Sequence, residues 1–524
     1  MPRPLPAAAL RPQWRSAAGW WIALASLLLL ACGFTGIDHD EGQYVAAVAL
    51  MRHGLPYRNF AYLQTPLQPL LLAPLAWWCE GWLFPALRAV NALLGAGAVA
   101  MLWLAARRAG ASERGAALAA LALASSHMLL FAASVARNDA LPLFLHCAGL
   151  WLFLPVLRAD APRRPLTAWL AGLALAGAAS AKISYGLPAA AVGVFALLHV
   201  RILGRGPVLA LALGGLLGGL PTFWLWALAP EAARFGIIDY SLKAPFEWRT
   251  LNGQAAMLEA PLSLLRMLRF LAQGCGLVAL VTIGAATWKA RKAPLAVRHR
   301  VTGAPRPQML SRLLALLILA GLVAAWLPRP IYVQYLGPLL PALFLYFGLV
   351  AEPFLTRRWL RALVALAILA GIAQTTLDIA GNLALRRSPV LVAARDARTA
   401  GQLVRARHGE GAIVALSPER VIDSGIPLDP RFATGLFLFR TRSVMTPQQS
   451  QAFHALPMDA LARGLDMAPP TAILTGMESA TSRLAPDGLD APLVLWARRQ
   501  GYRRVILPAT GTALYLRPAS APHP

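Results

Sequence analysis

The chain has 524 residues, of which 58% are hydrophobic and only 14% charged, a composition that excludes an ordinary soluble globular protein. Its formal net charge is +26, from 49 Lys and Arg against 23 Asp and Glu. The bases punctuate the apolar runs instead of forming one continuous face. The excess therefore reports membrane topology and attraction to an anionic lipid bilayer, with no nucleic acid as partner.

In chain order, the apolar runs are continuous, rich in Leu and Ala, and reach the roughly 20 residues that a bilayer-spanning helix needs. Continuous patterning points to helices and away from barrel strands. Spans are predicted near 18–37, 86–106, 115–134, 140–157, 166–181, 184–200, 207–229, 266–288, 311–328, 332–351 and 359–377. Between them lie Arg107 and Arg108, Arg158 with Arg163 and Arg164, and Arg201 with Arg205. Further on come the stretch from Lys289 through Arg306, then Arg357, Arg358 and Arg361. Short loops rich in Lys and Arg stay cytoplasmic. With Arg3, Arg11 and Arg15 also inside, the loop after the first span, the Arg137-Asn138-Asp139 turn, the loop 230–265 and everything after 378 fall outside. The threading requires Leu67 to Phe84 to lie along the outer surface, because that segment is broken by Pro69 and Pro74, is flanked by Pro66 and Pro85, and carries Glu80.

The tail differs in kind. Strand-like runs occur at 411–416, 472–475, 505–507 and 513–516, with helix-like pieces at 390–407 and 491–500. The expected architecture is thus a polytopic α-helical membrane part, 1–377, with a first outer loop 38–85, followed by a periplasmic α/β domain, 378–524, in a bacterial inner membrane. No catalytic motif stands out in the tail, and Asp423, Asp429 and Asp459 read as solvated turn residues. Cys32, Cys147 and Cys275 fall in predicted spans and Cys79 in the outer loop, so neither a disulfide framework nor a CxxC site is indicated. Leu29 to Gly33 imitates a lipoprotein signal, but the later spans make such an anchor redundant.

The candidate site begins directly after the first apolar run, at Asp38-His39-Asp40-Glu41-Gly42-Gln43-Tyr44. Ionisable groups clustered at a bilayer boundary are functional candidates. The threading places Tyr57, Arg58, Tyr62, Arg137, Asp139, Lys182, Arg329, Tyr332 and Tyr335 at the same membrane level. Such a set suits transfer of a sugar from a lipid phosphate to a hydroxyl. A base must take the hydroxyl proton, and cations or donors must meet the charge developing on the departing phosphate. Asp38 and Asp40 are the candidates for a divalent metal ion, should one share that work. Plainer roles exist for each group: Asp40 as a helix N-cap, Arg137 and Lys182 snorkelling to headgroups, and Tyr332 and Tyr335 as interfacial aromatics. A transporter or flippase would instead place its charges at the midplane of duplicated halves, and a non-catalytic envelope scaffold would not need paired carboxylates.

Asp40-Glu41-x-x-Tyr44, then Gly54-Leu55-Pro56-Tyr57 and Pro66-Leu67, resembles the first outer loop of GT-C membrane glycosyltransferases, in particular the aminoarabinose transferases and protein O-mannosyltransferases. Arg137-Asn138-Asp139, Ala181-Lys182 and Tyr332-x-x-Tyr335-x-x-Pro338-x-x-Pro341 resemble later motifs of the same group, over about residues 18–377. The resemblance implies an inverting transferase using a polyprenyl-phosphate sugar, with an envelope glycolipid, glycan or protein as acceptor. It implies Asp40 as base, Glu41 beside it in acceptor or metal positioning, and Asp139 orienting the acceptor or Asp40. Arg137, Lys182, Arg329 and Tyr332 would meet the donor phosphate, with Tyr44, Tyr57 and Tyr62 positioning substrate. One departure is Thr65, which stands before Pro66 where many relatives carry Lys; Arg58, Lys182 or Arg329 would have to replace that contact.

Overall fold

The computed structural model describes residues 11–158, 164–292, 306–478, 483 and 485–518. Of the predicted inner-side bases, Arg3, Arg163 and those at 293–305 lie outside the described residues. Helices occupy every predicted span position, but they are not equally long. Five are long and apolar enough to cross a bilayer: Leu83–Arg108, Ala140–Leu157, Arg205–Leu228, Pro307–Trp326 and Arg358–Ala384. Two further pairs pass together but are bent, Glu113–Ala124 with His127–Ser134 by 59° and Ala260–Ala272 with Gly276–Ala290 by 90°. Four others, Gly19–Phe34, Pro165–Ala181, Ile183–Leu198 and Leu340–Val350, are shorter apolar helices. Length and composition among the described residues thus support up to seven crossings, against the eleven predicted.

The helices that position the site are α1 (Arg11–Phe34), α2 (Glu41–Leu50), α3 (Leu67–Trp78), α4 (Leu83–Arg108), α5 (Glu113–Ala124), α6 (His127–Ser134), α7 (Ala140–Phe153) and α8 (Pro165–Ala181). The proline-broken segment forms α3, whose 12 residues span about 18 Å at 1.5 Å per residue, short of a hydrocarbon core. Trp77 and Trp78 at its end, and Trp82 just beyond it, are exposed, as suits a helix lying at an interface.

Close helix approach fixes α8. A Cβ on Gly172 would meet the carbonyl oxygen of Leu211, one on Gly214 that of Trp169, and one on Gly218 that of Leu173. Glycine lets the backbones of α8 and Arg205–Leu228 touch, the small-residue packing that membrane helices use where water supplies no driving force. Ser180 Oγ adds a hydrogen bond to the Gly218 carbonyl at 2.8 Å. The crossing holds the end of α8, and therefore Lys182.

After Leu385 the chain builds a four-stranded sheet in the order β1-β2-β4-β3, from β1 (Ile413–Ala415), β2 (Ala472–Thr475), β3 (Arg503–Ile506) and β4 (Ala513–Leu516). β1 pairs parallel with β2, and β4 pairs antiparallel with both β2 and β3. Side chains alternate across the sheet. Val414, Ile473 and Tyr515 pack with Phe432, Leu465, Leu493 and Trp496. Ala415, Leu474 and Leu514 pack with Tyr44, Tyr57, Phe60, Tyr62 and Phe235 from the membrane part. The second face of the sheet thus belongs to an apolar cluster shared with the first loop.

Polar ties reinforce that contact, and they correct the reading of the tail aspartates. Asp423 is buried and accepts hydrogen bonds from the backbone nitrogens of Leu83 (2.7 Å) and Phe84 (3.4 Å) at the start of α4. Asp429 is also buried, in a bidentate pair with Arg431. Burial without partners would be costly, so these groups are structural ties; Asp459 is exposed.

Candidate functional site

Asp40 stands at the N-cap position of α2 but makes no capping hydrogen bond, so the plain capping role does not describe it. Its backbone N–H instead donates to Asp38 Oδ1 at 2.9 Å, and its carboxylate turns toward α7. Opposite it sits Arg137, on the turn between α6 and α7. That turn is pinned from behind: Asn91 Nδ2 donates to the carbonyls of Val135 (2.6 Å) and Arg137 (2.8 Å), and Gln68 Nε2 to that of Arg137 at 3.0 Å.

Arg137 gathers three carboxylates. Its Nη1 lies 2.6 Å from Asp40 Oδ2 and 3.0 Å from Asp38 Oδ1, and its Nε lies 3.3 Å from Asp139 Oδ2. The chain turns back from α7 into α8, so the start of one and the end of the other lie together, and Lys182 Nζ pairs with Asp139 Oδ1. Asn138 Nδ2 closes the same junction onto the Ala181 carbonyl at 3.0 Å. Arg137 and Lys182 are both buried, which sets aside the headgroup-snorkelling alternative for these two side chains. Tyr335 joins through its ring, 5.8 Å from Lys182 Nζ, and Tyr44 through its own, 6.0 Å from the Arg137 guanidinium carbon.

Burial opposes ionisation of Asp40, but Arg137 together with His39 and Arg440 outweighs it, and its carboxyl is held below the ordinary carboxylate range. His39 Nε2 lies 3.2 Å from Asp40 Oδ1, and Arg440 Nη1 approaches the same oxygen to 3.9 Å from the tail.

Glu41 points elsewhere. It is fully buried against Arg88 of α4, itself fully buried. Arg88 Nε donates to Glu41 Oε2 at 2.8 Å and its Nη2 to Oε1 at 2.5 Å. The Glu41 oxygens also accept from the backbone nitrogens of Asp38 (2.9 Å) and Ala136 (2.6 Å). Arg88 spends its remaining donors on the carbonyls of Cys32, Thr35 and Gly36. With both oxygens committed, Glu41 fastens the loop after α1 to α4 and to the Arg137 turn, and has no oxygen free for an acceptor or metal. Arg88 escaped the sequence reading because it sits inside an apolar run, although a lone Arg there must find a partner.

The remaining candidates are spread. Tyr57 and Tyr62 are packed in the core, Tyr57 with its hydroxyl on the Gln64 carbonyl and a φ of 66°. Tyr332 OH accepts from Arg249 Nη2 at 2.6 Å, its ring 5.9 Å from that of Tyr335. Arg329 Nη1 is bound to the Leu258 carbonyl at 3.1 Å, and Arg58 is exposed. Among the described residues no three His, Cys, Asp or Glu side chains converge as a metal-binding set. Asp38 and Asp40 converge on Arg137 instead, so these residues do not fit a resident metal.

Residues 81–214 match the family profile described as dolichyl-phosphate-mannose-protein mannosyltransferase. That stretch covers α4 through part of the Arg205–Leu228 helix, with Arg88, Arg137, Asp139 and Lys182 inside it. A comparison with curated protein sequences gives no match. Among solved structures, ArnT from Cupriavidus metallidurans bound to undecaprenyl phosphate superposes with a TM-score of 0.59 at 17% identity, covering 96% of this chain and 99% of that one. Its apo form gives 0.59 and 17%, covering 97% and 100%. An Archaeoglobus fulgidus oligosaccharyltransferase also matches, at 0.48 and 11%, covering 88% and 70%. The likeness to ArnT covers 96% of this chain, most of the tail included, and at this identity it is one of fold. The first-loop resemblance to GT-C transferases thus stands beside a fold like that of ArnT and a profile match over residues 81–214.

Proposed function

We propose that this GT-C-fold membrane protein is a glycosyltransferase that moves a sugar from a polyprenyl-phosphate-linked donor to an envelope acceptor on the periplasmic face. The observation that carries the reading is the partly open Asp40 paired with buried Arg137 and lying beside the buried Asp139–Lys182 pair, where the starts of α2 and α7 meet the end of α8. The fold shared with an undecaprenyl-phosphate-bound structure adds support.

In the reaction, Asp40 accepts the proton of the acceptor hydroxyl as that oxygen bonds to the anomeric carbon from the face opposite the phosphate. The bond from that carbon to the phosphate oxygen breaks, its electron pair leaves with the polyprenyl phosphate, and the configuration inverts. Lys182, Tyr332 with Arg249, and Arg329 are the groups for the departing phosphate. Arg137 sets the geometry and charge of Asp40, while Asp139 holds Arg137 and Lys182 in place. Tyr44, packed beside Arg137, bounds the acceptor side. Thr65 is buried, so the cation missing before Pro66 is replaced by Lys182 and Arg249.

Asp40→Asn, which keeps the side chain's shape, is expected to insert and fold normally while transfer falls by about 10²–10⁴-fold, the usual worth of a general base. Mass spectrometry of envelope molecules and polyprenyl-phosphate sugars from cells carrying either protein checks it. The variant should lose one sugar from an envelope molecule and accumulate its lipid-linked donor. Equal profiles from equally expressed proteins would remove Asp40 from the role.

A further inference from the structure

Arg440 lies about 400 positions from Asp40 in the chain, yet it is the tail's contribution to the site. It ends the short helix Gly435–Arg440, and its placement is built from both sides. Tyr240 OH donates to the Phe437 carbonyl at 2.8 Å. Glu247 accepts from the backbone nitrogens of Arg442 (2.5 Å) and Ser443 (2.9 Å), and from Ser443 Oγ at 2.9 Å. Two staples from the helix Tyr240–Leu251 thus flank Arg440, and Trp248 of that helix lies under its guanidinium at 5.5 Å.

So placed, the guanidinium is underused. The 3.9 Å separation from Asp40 Oδ1 is too long for a hydrogen bond, and Nε is buried with no hydrogen-bond partner among the described residues. A buried donor left unpaired is costly, and a guanidinium offers five donors in a fork that fits phosphate oxygens. Charge gives a second argument. Asp38, Asp40 and Asp139 face Arg137 and Lys182, leaving the cluster one negative charge in excess, which would repel an incoming anion. Arg440 cancels that excess. The next residue after Trp248, Arg249, reaches Tyr332, so one helix holds both outlying guanidinium groups, one directly and one through its staples.

We propose that Arg440 is a substrate-binding arm that takes a phosphate group of the lipid-linked donor or of an anionic acceptor and seats it next to Asp40. The tail is then part of the binding site. The proposal rests on the transferase reading above, and binding separates the two. The purified full-length protein in detergent would be titrated with undecaprenyl phosphate and, separately, with a soluble sugar phosphate standing for an anionic acceptor. Arg440→Gln should weaken one of these by about tenfold or more, and Arg440→Lys should recover part of the loss. Weakened undecaprenyl phosphate assigns the arm to the donor; weakened sugar phosphate assigns it to the acceptor. Glu247→Ala, which releases the staple without removing an anion-binding group, should weaken the same probe. If the wild type binds a probe and both Arg440→Gln and Glu247→Ala bind it equally well, the arm is overturned while the reading stands. If the wild type binds neither, the lipid-phosphate reading fails and the arm falls with it.

Discussion

At Asp40 two opposite influences meet: burial favours the neutral acid, while Arg137, His39 and Arg440 favour the carboxylate, and the cations prevail. A base held below the ordinary range stays ionised through neutral and mildly acidic pH, so its titration should not limit kcat/KM between about pH 5 and 8. Removing the main cation reverses the balance. In Arg137→Gln, burial acts with less opposition, the pKa of Asp40 rises, and the acid limb of the rate profile should move upward by about one pH unit or more. A pH–rate profile of both proteins checks this, and an unmoved acid limb with reduced kcat would mean that Arg137 acts on substrate instead. The carboxylates and cations of this cluster were legible in the sequence because ionisable residues are conspicuous in an apolar chain. Arg440 was not, since it is one arginine among many in a charged tail, and only folding brings it to Asp40. Glu41 was visible but misassigned, because sequence adjacency to Asp40 hides that successive side chains at a helix start face different ways.

The helices show the same division between what composition reveals and what packing decides. Apolar runs located a helix at every predicted position, of which length and composition support up to seven crossings among the described residues, yet the bends come from local polar chemistry. Ser125 and Ser126 turn their hydroxyls onto the carbonyls of Leu121 and Leu123, ending α5, and Ser126 Oγ then accepts from the Leu129 N–H to start α6. At the second bend Gly274 adopts a φ of 137°, which a side chain would resist. Hydropathy is blind to both devices. The crossing of α8 with Arg205–Leu228 is likewise a matter of individual glycines, and it can be tested by neighbours. Gly214 faces the Trp169 carbonyl, whereas Gly215 has open space where a Cβ would go. Gly214→Leu should force the helices apart, lower the yield of monodisperse protein and displace Lys182, with transfer reduced at least tenfold by the misplaced cation. Gly215→Leu should leave both near wild type. Size-exclusion profiles and unfolding midpoints of the pair check the claim, and equal behaviour would show that the crossing tolerates a side chain.

Across the whole molecule, the tail and the membrane part share one apolar cluster, and the acids buried at their junction should make stability depend on pH. The loop 417–420 lies against α2: a Cβ on Gly42 would fall 2.7 Å from Glu419 Oε2 and 2.8 Å from Pro418 Cδ. Glu419 is almost wholly buried there, with Oε2 lacking a hydrogen-bond partner among the described residues and Arg420 Nε 3.7 Å from Oε1. Burial, only partly offset by Arg420, pushes its carboxyl up to about 8. In the unfolded chain the group returns to its ordinary value near 4.5. Below that pH both states carry the proton and folding meets no penalty. As pH rises toward 8 the unfolded chain releases the proton while the folded one keeps it, so stability falls, by up to about 1.4 kcal/mol per pH unit, and levels off above. Glu419→Gln, which keeps the shape and cannot ionise, should flatten this decline and raise the unfolding midpoint at pH 8 by a few degrees relative to wild type, with little change at pH 5. Some slope should persist, because Glu478, hydrogen-bonded to Ser417 at 2.9 Å, is pushed by burial to about 7. Thermal unfolding of both proteins from pH 5 to 9 measures the difference. An unchanged slope would show that Glu419 ionises freely in the folded protein, and that the contact between α2 and the tail is looser than its packing implies.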